Sequence, residues 1–189
     1  MNILAIDTTG RHLTVAVRFG GKWLAEFNRD CRLNHSVVLN GQIDEMMKKA
    51  GMTFDDVDVY ACNVGVGSFT GIRVGIASIK GFCLARPKKL VAVNTFEILA
   101  YNEGNDVSVL VPDNRGVYFQ RFKDGAAVGE AAHFVTPPPH GKEIVYDDET
   151  DYSDKFISLI DEKVARGLYA DALVPLYIRK SQAEENKCR

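Results

Sequence analysis

The chain has 189 residues, 46% of them hydrophobic, with 23 basic side chains against 25 acidic ones and a formal net charge of −2. That length suits one domain or two small ones, and the near-neutral charge without a basic stripe argues against tight unaided binding to nucleic acid, which needs clustered Lys and Arg. No apolar run approaches the ~20 residues needed to cross a bilayer, and Met1 leads straight into a strand pattern with no leader-type segment, so a cytoplasmic chain is expected.

Residues 2–6 form a short apolar run closed by Asp7-Thr8-Thr9-Gly10, which reads as a buried strand and a polar turn. Residues 12–19 alternate through Leu13, Val15 and Val17 as a half-buried strand, Gly20-Gly21 turns the chain, and residues 22–29 return as a third strand. Asn34 is placed to cap a helix over residues 35–50, whose apolar groups Val38, Leu39, Ile43, Met46, Met47 and Ala50 fall at helical spacing before Gly51 ends it. Residues 57–64 read as a fourth strand and residues 72–85 as a second helix, stopped by Arg86-Pro87. Residues 90–93 form a fifth strand, and Thr95 caps a short helix reaching Tyr101.

Glu103-Gly104-Asn105-Asp106 marks the expected boundary between a first half, residues 1–102, and a second, residues 103–189. Beyond it the order restarts: a strand over residues 107–112, the turn Asp113-Asn114-Arg115-Gly116, a strand over residues 117–122, the turn Asp124-Gly125, and a returning strand over residues 126–135. This is a repeat of architecture and not of sequence. Pro137-Pro138-Pro139 predicts a stiff surface loop, residues 154–165 a helix with Phe156, Leu159, Ile160 and Val164 on one face, and the tail from Ser181 a solvated end.

The stretch from Asn63 to Gly75 carries four of the sixteen glycines between a strand and a helix. It departs from the dinucleotide fingerprint because Thr70 stands where the third glycine belongs, it lacks the Gly-Lys-Ser/Thr of a P-loop, and Ser68 directly follows Gly67, which breaks the G-x-S-x-G elbow. Two readings stay open: an anion held by backbone N–H groups at a helix start, or a tight strand–helix crossing. Asp7-Thr8-Thr9-Gly10 could hold a metal-bound phosphate or could be a hydrogen-bonded turn, and Asp113-Asn114-Arg115-Gly116 is its counterpart without paired hydroxyls. Cys31, Cys62, Cys83 and Cys188 form no C-x-x-C pair, and Cys62 and Cys83 are expected as buried thiols. His12, His35, His133 and His140 do not pair at i, i+4, so neither a metal nor a cofactor is expected. The second helix carries a stripe of Ile72, Ile76, Ile79 and Cys83 with Val74, Phe82 and Ala85 off it, and small residues Gly71, Gly75 and Ser78 permit close approach. A thick core accounts for this; the expectation carried forward is that one stripe packs on the sheet and the other meets a second protein.

Several motifs together resemble the TsaB family, bacterial tRNA threonylcarbamoyladenosine biosynthesis proteins formerly called YeaZ. Ile3 to Thr9 is similar to its opening strand, Gly65 to Gly75 resembles its G-P-G-S-F-T-G-x-R-x-G with Val66 in place of the proline, and Asn34-His35-Ser36 is similar to its helix opening. Val93 to Glu97, Asp113 to Tyr118 and Pro175-Leu176-Tyr177-Ile178-Arg179 resemble later family segments, although Gly116 directly precedes Val117-Tyr118 where Glu is expected.

The resemblance implies the actin, sugar-kinase and Hsp70 fold of two related subdomains, the second reduced. It implies a non-catalytic relative of TsaD that binds and supports TsaD, with the ATPase TsaE, in transferring threonylcarbamoyl to the adenosine beside the tRNA anticodon. It further implies a homodimer when TsaD is absent, and tRNA contact only through the complex. The partner-binding residues would be Val38, Leu39, Ile43, Met46, Met47, Gly71, Gly75, Ile76, Ile79 and Cys83, so that Ile76→Glu or Met46→Glu would abolish binding in a folded monomer. Asp7, Thr8, Thr9 and Gly10 with Asp113 would be a vestigial nucleotide loop. The competing class is a nucleotide-binding hydrolase or a peptidase-like enzyme of the same fold.

Overall fold

The computed structural model describes residues 1–29, 31, 34–138 and 141–179. Pro139, His140, Cys188 and the tail from Ser181 lie outside the described residues.

The first sheet has the order β3-β2-β1-β4-β5, built from β1 (Ile3–Asp7), β2 (Leu13–Phe19), β3 (Lys22–Asn28), β4 (Val59–Asn63) and β5 (Lys89–Val93). β1, β2 and β3 are an antiparallel meander, and β4 and β5 join parallel to β1. The parallel strands require crossovers. These are α1 (His35–Ala50), after β3, and α2 (Phe69–Ala85), after β4. Both helices cover one face, where Leu4, Ile6, Val15 and Val17 meet Leu39, Ile43, Ile72, Ile76 and Ile79. The opposite face, Ile3, Ala5, Val59, Ala61 and Val91, is covered by α4 (Ser153–Ala165) through Phe156, Leu159 and Ile160. Alternate side chains of β1 thus enter two different cores, which explains its unbroken apolar run. β2 was expected to be half-buried by its alternation; with a helix layer on each face, Leu13 to Val17 are all buried.

The second sheet has the order β8-β7-β6-β9, from β6 (Asp106–Asp113), β7 (Gly116–Lys123), β8 (Ala126–Phe134) and β9 (Lys142–Val145). It repeats the arrangement of the first, a meander plus a parallel strand, with one parallel strand fewer. The short helix α3 (Thr95–Ala100) packs Phe96 and Leu99 on Val107, Val109, Val111 and Phe122. Two such mixed sheets make the actin-, sugar-kinase- and Hsp70-like fold, its second subdomain reduced. α4, although late in the chain, lies on the first sheet and ties the halves, with Trp23 donating to Asp161 Oδ2 at 2.8 Å and Lys163 Nζ to Ala92 O at 2.9 Å.

Four local expectations change. β9 is an added strand: four residues after a proline-rich loop carry too little periodicity to read. α2 begins at Phe69, three residues before Ile72, because Ser68 caps it by accepting from Gly71 N at 3.2 Å. The cap of α3 is Asn94, which shares a reciprocal capping box with Glu97 at 3.0 and 2.9 Å; the Thr95 hydroxyl points instead to Val66 O at 2.6 Å. Asn34 holds the cap position of α1 without a side-chain cap bond, whereas Gly51 ends that helix in the left-handed region at φ 65° as expected.

Candidate functional site

The site grows from two turns that interlock. At the end of β1, Asp7 Oδ1 accepts from Thr9 N and Thr9 Oγ1, both at 2.8 Å, and Oδ2 accepts from Asn63 Nδ2 at 2.8 Å. The carboxylate is 8% exposed with both oxygens engaged inside the protein. Asn63 sits at the end of β4 and also reaches Thr9 Oγ1 and Thr95 Oγ1, at 3.0 and 3.1 Å, while its Oδ1 accepts from Gly65 N at 3.0 Å. The β1–β2 turn then docks on α2: Thr8 Oγ1 donates to Gly71 O at 2.7 Å, and Ser68 N donates to Thr9 O at 2.6 Å.

This docking explains the glycines. A Cβ at Gly67 would overlap Thr9 O, one at Gly71 would overlap Thr8 O, and one at Gly75 would lie 2.5 Å from Thr8 Oγ1 and 3.3 Å from Cys62 Sγ. The four-residue spacing aligns Gly71 and Gly75 on one helix face, and the missing side chains let a backbone turn lie against it. Of the two open readings, the tight crossing is the one these contacts build, since Gly65 N, Ser68 N and Gly71 N are all taken by protein acceptors.

In front of the turns an open cleft of about 1180 Å³ runs between the two sheets, lined among others by Gly10, Arg11, Ser68, Arg73, Asp113 and Tyr177. Asp7 does not line it. Its far wall is the β6–β7 turn, where Asp113 Oδ1 accepts from Arg115 N at 2.7 Å and from His133 Nε2 at 3.1 Å, and Oδ2 accepts from Arg179 Nη1 at 3.3 Å. Burial opposes ionisation of Asp113, but the Arg115 N–H, His133 and Arg179 outweigh it and hold the carboxyl below its ordinary pKa. A lowered pKa stabilises the fold above the pH where the unfolded chain ionises and ceases to do so as pH falls through the folded value. The stability gap between the natural chain and Asp113→Asn is therefore expected to be full at neutral pH and to close below about pH 4, as urea unfolding at a series of pH values will measure.

Two later segments of the chain also line the cleft. Tyr146, just after β9, places its hydroxyl where a Cβ on Gly10 would stand and 3.3 Å from His12 Nδ1; burial, aided by Asp7 and Asp148, pushes its pKa up and keeps it neutral. Leu176 N donates to Val64 O at 2.8 Å, and Tyr177 stacks on Phe69 at 4.7 Å. His35 Nε2 lies 2.9 Å from the His12 carbonyl, which can only accept, so that nitrogen carries the proton. Cys62 is buried, and burial together with Asp7 keeps it a neutral thiol; Cys31 and Cys83 are also free thiols.

The structure therefore brings Asp7, Thr8, Thr9 and Gly10 together with Gly71 and Gly75, and keeps Asp113 on the other sheet with His133 and Arg179. Tyr146 and His133 left no signal in spacing, since each acts across the fold. Of the residues expected at a partner surface, Leu39, Ile43, Met46, Met47, Ile76 and Ile79 are at most 4% exposed and belong to the core beneath α1 and α2. Gly71 and Gly75 are buried, and Val38 and Cys83 are half-buried against the same core. The expectation that Ile76→Glu or Met46→Glu leaves a folded monomer is corrected accordingly, because each would put a charge into that core. What α1 and α2 expose is a different set: Val37 at 77%, Leu84 at 87%, and the exposed small residues Gly41, Ala77 and Gly81. Among the described residues no helix is long and apolar enough to cross a membrane.

Comparison with known proteins agrees in sequence and fold. The family whose profile matches residues 29–115 is described as TsaD: tRNA N6-adenosine threonylcarbamoyltransferase. The tRNA threonylcarbamoyladenosine biosynthesis protein TsaB of Escherichia coli (strain K12) is 28% identical over 168 residues, 84% of this chain and 71% of that protein. TsaB of Bacillus subtilis (strain 168) is 30% identical over 102 residues, 54% of this chain and 44% of its own length, so the chain spans less than half of that relative. The solved structure of YeaZ from Pseudomonas aeruginosa superposes with a TM-score of 0.79 at 22% identity, over 93% of this chain and 99% of that one. Sequence similarity along most of its length and the shared fold support the TsaB (YeaZ) family for this chain.

Proposed function

We propose that this chain is an accessory subunit, not itself catalytic, that binds a TsaD-type threonylcarbamoyltransferase and supports it in modifying the adenosine beside the tRNA anticodon, in the cytoplasm and with TsaE as a further partner. The observation that carries this reading is the interlocked glycine turn. The polar groups that would hold a phosphate or act as acid and base, from Asp7 to Ser68, are already engaged with one another. Among polar neighbours the two helices expose apolar and small residues, Val37 on α1 and Ala77, Gly81 and Leu84 on α2, suited to helix–helix packing with TsaD, or with a second copy when TsaD is absent. The proposed division into residues 1–102, which carry this surface, and 103–189 goes with that reading.

The experiment mixes the chain with TsaD and TsaE, threonylcarbamoyl-adenylate and unmodified tRNA, and follows modified adenosine. Modification that needs the chain, with co-elution of chain and TsaD, is the expected result; full modification without it would overturn the reading. The open cleft favours the competing hydrolase. Calorimetry of the isolated chain with ATP and magnesium separates the two, since tight binding belongs only to the hydrolase.

A further inference from the structure

The cleft carries a charge pattern that the accessory role leaves unused. Its walls hold four arginines, Arg11, Arg73, Arg115 and Arg179, against two carboxylates, Asp113 and Asp148, on a chain whose net charge is −2. Asp113 is paired with Arg179 at 3.3 Å, and Asp148 Oδ1 accepts from the Arg11 backbone N–H at 3.3 Å. Among the described residues neither the Arg11 nor the Arg73 side chain is in an ion pair, and both are exposed. Arg73 is also held in place: its guanidinium lies 3.9 Å over the Phe69 ring, and its Nε donates to Tyr177 Oη at 3.0 Å. Phe69 and Tyr177 stack at 4.7 Å on the cleft rim, with Tyr177 40% exposed.

Resting on the reading that the chain works in a tRNA-modifying complex, we propose that this cleft is a groove for an RNA strand, with Arg11 and Arg73 contacting phosphates and Tyr177 offering its face to an unstacked base. Cationic side chains beside exposed aromatic rings suit a single-stranded backbone and a splayed base. An enclosed mononucleotide fits less well, because Gly65 N, Ser68 N and Gly71 N of the glycine turn are taken and the cleft is open and larger than most small-ligand pockets. The net negative charge of the whole chain makes the groove weak and salt-sensitive alone, an addition to a partner's surface.

The test titrates the assembled complex into a fluorescently labelled tRNA anticodon stem-loop and reads anisotropy at several salt concentrations. The natural chain is compared with R11Q/R73Q and with Arg166→Gln, a control at the exposed end of α4. Gel filtration is expected to show all three assembled. The double variant should bind RNA about tenfold more weakly, with the slope of log affinity against log salt reduced by about 1.5 to 2, and the control should match the natural chain. Equal affinity and slope for the double variant in an assembled complex overturns the groove and leaves the accessory role standing. Failure of the natural chain to assemble overturns the accessory role, and the groove is then decided on the isolated chain with the same RNA at low salt. Displacement of the RNA by one equivalent of AMP would make the cleft a mononucleotide site and also overturn the proposal.

Discussion

Replacing Gly71 with Ala is expected to destabilise the isolated chain by about 3 kcal/mol or more, at the upper end of what overpacking costs. Alanine is ordinarily the better helix residue by about 1 kcal/mol, so the sign of the effect is itself informative. The new methyl would overlap the Thr8 carbonyl oxygen, a backbone atom and not the yielding tip of a side chain. That carbonyl cannot retreat easily, because Thr8 Oγ1 is bonded to Gly71 O and Thr9 O to Ser68 N. The matched control lies ten residues along the same helix: a Cβ at Gly81 meets nothing within 4 Å, so Gly81→Ala should stabilise by about 0.5–1 kcal/mol. Thermal unfolding should place the two variants on opposite sides of the natural chain, Gly71→Ala lower by about 6–12 °C for a domain of this size. A Gly71→Ala protein as stable as the natural one would refute the interlocking of the two turns.

Leu84→Glu is expected to abolish co-purification with TsaD while leaving circular dichroism and melting temperature unchanged. Leu84 is 87% exposed on α2, where substitutions usually stay within about 0.5 kcal/mol of stability. An apolar anchor at the centre of a helix–helix interface costs about 2 kcal/mol or more when lost, roughly thirtyfold in affinity. Ile76→Glu makes the contrast. Ile76 is 4% exposed among Ile6, Ile72 and Ile79, and a carboxylate there has no partner in that core, so this variant should unfold. Its failure to bind would then report lost structure and nothing about the interface. A folded Leu84→Glu chain that still binds TsaD at full strength would move the docking surface off this side of α2.

Much of the fold was legible because contiguous residues carry it. The existence of strand β2, the Gly20-Gly21 hairpin, the helical spacing of α1 and its Gly51 stop are each decided within a few residues, and the structure keeps all of them. What escaped lacks that local signal. β9 is short and depends on β6 for its pairing. The burial of β2 on both faces depends on α4, which arrives more than a hundred residues later.

The site divides in the same way. Composition and motif order marked Gly65 to Gly75 and Asp7 to Gly10 as the important stretches and excluded the common phosphate templates, because those templates are defined by neighbours in sequence. Which face of α2 turns inward is different, since helical spacing is identical for a stripe that meets a sheet and one that meets a partner. Ile76 and Met46 looked available and are core; Leu84 looked incidental and is exposed. Why the glycines are glycines is likewise a tertiary fact: Gly71 answers to Thr8, sixty-three residues away, and Gly67 to Thr9. The order of the elements other than β9, most of the turns and the resemblance to TsaB proteins could be read along the chain, through contacts and spacings short enough to lie within it. What each face touches came from the folded chain, because burial and close backbone approach are set by distant segments that the spacing of residues along one helix does not record.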